Sequence, residues 1–205
     1  SPLFDRAGDP AQVDGQTLDN LFYLIAAMKR AGTYTEISFY FPLWFDIRPG
    51  YGIDGYDTID NKRPFALLYF NERMQHIHRE WLRQLLTTTN PYTETRLADE
   101  PAVVIVEVVN EDSFFFWTFS KGNVPAVHWS HLESLYAAWL TERYGSLQAA
   151  ADAWGAVLDE DDLAGGRVAI LEAWHMTADG SRAGGPAKTR RMGDQVRFLT
   201  ELQRA

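Results

Sequence analysis

Apolar positions along the chain recur at two spacings, and the alternation between them predicts the order of its elements. Leu18, Leu21, Phe22, Ile25 and Met28 fall on one face of a helix expected from about Thr17 to Ala31, with Gly32 just past its end, where a left-handed residue closes a helix. Thr33 to about Phe41 is strand-like, and a loop rich in Gly, Tyr and Asp then runs to Pro64. Asn71 caps a helix whose apolar stripe is Met74, Ile77, Trp81, Leu82 and Leu85 and which ends by Asn90-Pro91. The densest β-branched run, Val103-Val104-Ile105-Val106-Glu107-Val108-Val109, reads as a buried strand of the parallel type, covered on both faces. An aromatic loop follows it, and then a helix opened by a Ser130/Glu133 capping box with Leu132, Leu135, Tyr136, Trp139 and Leu140 on its apolar face. Gly145 ends that helix and Ser146 caps a short one to Trp154. Asp159 to Pro186 is acidic and Gly-rich with one strand-like stretch, Arg167 to Trp174, and the last helix, from about Thr189, carries Met192, Val196 and Leu199.

Helices alternating with strands in this way describe successive βα units of a parallel sheet joined by right-handed crossovers. Only two or three strands are visible, against the eight strands and about 250 residues of a closed barrel. The fold class expected is therefore α/β, part of a (β/α)8 TIM barrel. Residues 1–205 would form a partial catalytic domain with a helical insertion after the Val103 strand, over roughly 120–186, and the later strands would lie outside the chain. The start at Ser1-Pro2 without Met and the uncapped helix at Ala205 are read the same way. Ligands in such folds bind at the C-terminal ends of the strands, so Asn110 and Glu111 occupy the position of a catalytic carboxylate.

Composition narrows the classes of function. The 28 acidic residues exceed the 19 basic ones, giving a net charge of -9 that argues against a nucleic-acid partner, which needs clustered Lys and Arg. Lys188-Thr189-Arg190-Arg191 is the main basic cluster, and it opens a helix. With no cysteine there is neither a disulfide framework nor thiolate chemistry, and no apolar run approaches the roughly 18 residues of a membrane span. At 205 residues and 46% hydrophobic content the chain can bury a real core in one domain or two.

Three segments carry a family likeness. Asn90-Pro91-Tyr92-Thr93, Asp99-Glu100-Pro101-Ala102 and Glu107-Val108-Val109-Asn110-Glu111 resemble the fourth-strand region of the retaining glycoside hydrolases with (β/α)8 barrels, the cellulase and β-galactosidase-like clan, in which an Asn-Glu pair ends strand four. The similarity extends through Leu18–Phe41 and Trp139–Trp154. The resemblance implies hydrolysis of O-glycosidic bonds by double displacement, with Glu111 as general acid/base, Asn110 bonded to the sugar 2-hydroxyl and Glu107 as an inward-pointing strand residue. It further implies a carbohydrate substrate, no cofactor and no metal, and a role in polysaccharide degradation that favours a secreted or periplasmic location. The clan's nucleophile is a Glu at the end of strand seven. No counterpart is found here, so it is expected beyond residue 205 and the chain alone is expected to be inactive.

Geometry excludes the local substitutes for that nucleophile. Retaining enzymes hold their two carboxyls about 5–5.5 Å apart, whereas Glu107, four residues before Glu111 on one strand, lies about 13 Å away at roughly 3.3 Å per residue. Asp112, adjacent in sequence, points to the other face of a continuing strand. Aromatic residues follow both strands: Phe39, Tyr40, Phe41 and Trp44 after the first, Phe114, Phe115, Phe116, Trp117 and Phe119 after the second. Flat rings suit the apolar faces of sugars, and Tyr40, Trp44 and Trp117 are the expected substrate-binding positions, the remaining rings packing beneath loops.

Other apparent motifs carry less. Gly50-Tyr51-Gly52-Ile53-Asp54-Gly55 matches G-x-G-x-x-G but opens no helix, as a dinucleotide site requires. His76 and His78 project to different sides of a helix, His128 and His131 lack a third ligand, and Asp159-Glu160-Asp161-Asp162 lacks the calcium-loop pattern. Two other functions fit the same residues: a non-catalytic carbohydrate-binding barrel protein and, more distantly, a metal-dependent barrel hydrolase.

Overall fold

The computed structural model describes residues 8–155, 157–177 and 186–205. Among them are six α-helices: α1 (Gly15–Arg30), α2 (Glu72–Thr87), α3 (Ala126–Tyr144), α4 (Leu147–Trp154), α5 (Ala173–Thr177) and α6 (Pro186–Arg204). The strands are β1 (Thr35–Ser38), β2 (Thr89–Asn90), β3 (Thr95–Arg96) and β4 (Val103–Glu107), which form two two-stranded sheets, β1 parallel to β4 and β2 antiparallel to β3. The expected (β/α)8 TIM-barrel architecture is thus incorrect: a two-stranded parallel pair among the described residues closes no barrel and leaves Glu107 no barrel interior to point into. The chain divides into two compact units. One is built from residues to 53 with 62–64 and 71–112, the other from 54–61, 65–70 and 113 onward.

In the first unit, local signals read from sequence set the helix ends. The Asp14 carboxylate accepts the Thr17 N–H at 2.7 Å to start α1, and the Asn71 side chain accepts the Met74 N–H at 2.9 Å to start α2. Gly32, at φ +72°, closes α1, with its N–H on the Lys29 carbonyl and that of Thr33 on Met28, the paired bonds of a left-handed helix stop. The core beneath β1 joins Ile25, Ile37, Phe39, Leu85 and Leu97. Glu100 ties α1 to the turn before β4. Its buried carboxylate meets the Lys29 ammonium at 2.8 Å and accepts from Thr95 Oγ1 at 2.8 Å and the Ala102 N–H at 3.0 Å.

The β-branched strand itself departs from expectation. Val104, Ile105, Val106 and Val108 are each about half exposed, and among the described residues β4 pairs with β1 alone. Strand geometry here comes from β-branched propensity and the ladder with β1, without the burial the run suggested.

In the second unit, α3 starts at Ala126 after Pro125, so Ser130 and Glu133 lie inside the helix and form no capping box. Gly145, at φ +82°, and the Ser146 cap of α4, bonded to the Ala149 N–H at 3.1 Å, behave as expected. The strand-like stretch from Arg167 to Trp174 is not a strand. Val168, Ala169 and Ile170 are buried, yet the backbone partners a neighbouring strand would supply come from side chains instead. Asp161 accepts the Ala169 N–H at 2.8 Å, Arg191 donates to the Ala169 carbonyl at 2.7 Å, and the Gln195 amide both accepts from and donates to Leu171 at 2.8 Å. Arg191 and Asp161 are themselves a buried pair at 2.6 Å, with the guanidinium 4.9 Å from the Trp154 ring centroid.

Two stability outcomes are expected. Gln195→Leu leaves the Leu171 N–H and carbonyl without partners in the interior and should cost about 2–3 kcal/mol in denaturant unfolding. Glu100 has its pKa changed by burial, which raises it, but Lys29, the Ala102 N–H and Thr95 outweigh this and bring it from 4.5 to about 2. The unfolded chain therefore takes up this proton first, so stability is complete above about pH 4.5 and is lost as pH falls towards about 2, by at most about 3 kcal/mol. Glu100→Gln should flatten that part of the stability curve.

Candidate functional site

The site begins with the β1–β4 register. Ser38 pairs with Glu107, the Phe39 N–H donates to the Glu107 carbonyl at 2.9 Å, and the Asn110 N–H donates to the Tyr40 carbonyl at 2.8 Å. Parallel strands end on the same side, so Tyr40 and Asn110 meet just past the C-terminal ends of β1 and β4 although 70 positions separate them. Asn110 is half-buried there and Glu111 is exposed.

Glu111 has φ +50°, one of three non-glycine residues at positive φ among those described, with Ala66 and Glu94. A left-handed backbone costs an L-residue about 1–2 kcal/mol, and such outliers gather at functional sites. This turn ends the extended run abruptly and carries the Glu111 carboxylate into solvent at the strand end.

Of the expected sugar platforms, only part is arranged as anticipated. Trp44 lies in the short 3₁₀ turn Pro42–Trp44 directly after β1, is 68% exposed and packs edge-on against Phe41 at 5.1 Å. Tyr40 is a correction: it is 1% exposed, its hydroxyl donates to the Pro64 carbonyl at 3.4 Å and its ring meets His78 edge-on at 5.6 Å, so it offers no face to a ligand. Burial alternates from Thr35 to Phe39 and breaks at Tyr40, which is buried next to buried Phe39. Trp117 is half exposed beside Phe116 and belongs to the second unit.

His78 was read only as half of a failed metal pair. Burial pushes its imidazole below the usual value, against a hydrogen bond with the Val108 backbone that raises it. The imidazole thus lies against the Val108 backbone, two residues before Asn110. His128 is occupied differently, its Nε2 2.9 Å from the Asp54 carbonyl. No group of three or more potential metal ligands occurs among the described residues, and no helix among them is long and apolar enough to cross a membrane.

The second unit contains a cleft that sequence reading missed, of about 320 Å³, lined by Lys121, Trp129, Ser130, Glu133, Glu160 and Arg167 among others. Its signal was present as Trp129 and Glu133 at i, i+4, but the capping-box reading placed Glu133 at a helix start. No family model, curated protein or solved structure matches this chain.

The left-handed Glu111 yields a direct check. Glycine takes this conformation without the Cβ penalty, and the relief exceeds its unfolded-state entropy cost, so Glu111→Gly should stabilise the protein by about 0.5–1 kcal/mol while Glu111→Ala should not. Chemical denaturation of the two variants measures the difference, and a Glu111→Gly protein less stable than wild type would contradict the assigned backbone.

Proposed function

We propose that the chain supplies the acid/base carboxylate of a retaining glycoside hydrolase, with Glu111 in that role and Asn110 bonded to the sugar 2-hydroxyl. The observation that carries the reading is an Asn-Glu pair that follows one strand of a parallel pair, with Glu111 exposed in a left-handed turn, while an open Trp44 follows the other strand. The likeness of the segments around Asn90, Glu100 and Glu107 to the fourth-strand region of that clan supports it.

In the first step the Glu111 carboxylic acid donates its proton to the glycosidic oxygen as the C1–O bond breaks and a nucleophilic carboxylate bonds to C1. In the second, ionised Glu111 takes a proton from water as the water oxygen replaces the carboxylate at C1, so two inversions retain the configuration. The exposed indole of Trp44 offers a sugar its apolar face, and Asn110 supplies an amide donor and acceptor for a hydroxyl.

Glu111→Gln tests this in the protein that turns over aryl glycosides. Activity should fall most for poor leaving groups, by about 10²–10⁴-fold, the usual contribution of general acid catalysis. Activated aryl glycosides should lose much less in the first step. Azide should restore turnover by attacking C1 of the glycosyl-enzyme without base assistance, giving a glycosyl azide of retained configuration. Equal loss for all leaving groups and no azide product would assign Glu111 a structural role and favour carbohydrate binding without catalysis.

A further inference from the structure

The segments that leave β1 and β4 are both touched by a side chain that the acid/base reading does not use. His78, on α2, is 8% exposed, and its ring meets Tyr40 edge-on at 5.6 Å and Trp81 edge-on at 6.5 Å. It also hydrogen-bonds the Val108 backbone. That bond favours the charged ring, so it is one that the imidazole donates to the Val108 carbonyl. Nε2 makes no hydrogen bond among the described residues, and Nδ1 is therefore the donor. One side chain of α2 thus holds the residue two positions past β1 and the residue directly past β4. The bond from the Asn110 N–H to the Tyr40 carbonyl, at 2.8 Å, joins the same two segments.

A proton on this ring would undo the arrangement. In the uncharged ring Nε2 leaves only a lone pair without a partner, whereas the imidazolium puts a charged N–H at that buried place with nothing to accept it. The surroundings do not compensate. Tyr40 has its hydroxyl on the Pro64 carbonyl at 3.4 Å, and Trp81 donates its indole N–H to the Pro10 carbonyl at 2.6 Å. Arg79, next along α2, repels the charged form, and Glu107 and Glu111, which flank Val108 and Asn110, do not figure among the charges acting on the ring. Burial is the largest effect and, with Arg79, outweighs the Val108 bond, so the imidazole is held below its ordinary value of 6.5.

We propose that His78 is an acid-sensitive latch on the strand end that carries Asn110 and Glu111, holding Tyr40 and Val108 together while uncharged and releasing them when it takes up a proton. The charged ring reaches solvent as the segments after β1 and β4 separate, which frees the Val108 carbonyl and breaks the bond between Asn110 and Tyr40. A ring released to solvent titrates near 6.5 and the latched ring lower, so the open form binds the proton first. The latch is therefore complete above about pH 6.5 and weakens as pH falls below it. It stands on the packing around His78, and only its consequence for turnover, the loss of the Asn110–Glu111 arrangement in acid, rests on the acid/base reading.

The test is amide hydrogen exchange of the whole chain, followed by ¹H–¹⁵N NMR between pH 7.5 and 5.5, a range above the window of Glu100. Protection of the Asn110 N–H, relative to the free-peptide rate at each pH, should fall by up to about tenfold at pH 5.5, one pH unit below the free imidazole. The Thr35 N–H, bonded to the Ala102 carbonyl at the other end of the strand pair, should keep its protection. His78→Phe keeps a ring and His78→Asn keeps a donor near the place of Nδ1, and neither takes up a proton in this range. In either variant, shown to be folded by circular dichroism, the protection of Asn110 should no longer depend on pH. The imidazole resonances of wild-type His78 should titrate below 6.5, a measurement that needs no variant. Constant protection of Asn110 in the wild type, equal loss at Thr35, or a pH dependence that survives in a folded variant would overturn the latch. The azide experiment on Glu111 reads a different quantity, so either proposal can fail while the other stands.

Discussion

Everything at the candidate site depends on one long-range pairing, that of β1 with β4. Parallel strands cannot be joined by a tight turn, so the chain between them must leave the sheet and return, and α2 lies within that excursion. The pairing is anchored at its start by the Thr35 N–H on the Ala102 carbonyl at 2.7 Å and beyond its end by Asn110 on Tyr40. A one-residue slip would turn Tyr40 outward and Ile37 and Phe39 away from Ile25, Leu85 and Leu97. The core thus selects the register, and the register sets the Asn110 N–H on the Tyr40 carbonyl just before Glu111. The Lys29–Glu100 pair adds to this by fixing the turn from which β4 departs.

The second unit solves the same backbone problem with side chains. The run Val168–Leu171 needs hydrogen-bond partners, and Asp161 and Arg191 supply those of Ala169 and Gln195 those of Leu171 without a ladder. Burying the Arg191–Asp161 pair costs desolvation that its two short bonds and the carbonyl of Ala169 offset. Such a network admits few alternative geometries, since each replacement strands another polar group. Asp194 extends it, accepting from Tyr144 at 2.7 Å and Trp154 at 2.8 Å.

The two candidate sites use opposite devices. At the strand end, Glu111 is held in an unfavourable backbone conformation and left open to solvent. In the cleft, Glu133 is buried and accepts from Trp129 Nε1 and Arg167, so its bonds orient the indole. The same residue type is thus left open at one place and bound on both oxygens at the other.

Local chemistry was legible in the sequence. Gly32, Asn71, Gly145 and Ser146 mark helix ends through bonds made within a few residues, and the β-branched run at Val103 specifies a strand whatever surrounds it. Asn110 and Glu111 were found because they follow that strand directly. Burial was not legible. Half-exposed Val104 to Val108 and inward-turned Tyr40 depend on what packs against them, and the buried stretch at Val168 reads as a strand until Gln195, some 25 positions later, takes the place of its neighbour. Glu133 shows the limit most plainly: its i, i+4 relation to Trp129 is local, but Arg167, which completes the site, comes from a loop that only the tertiary structure brings to α3. Sequence determined the elements whose bonds close over short spans; the tertiary structure decided every contact whose partner lies far along the chain.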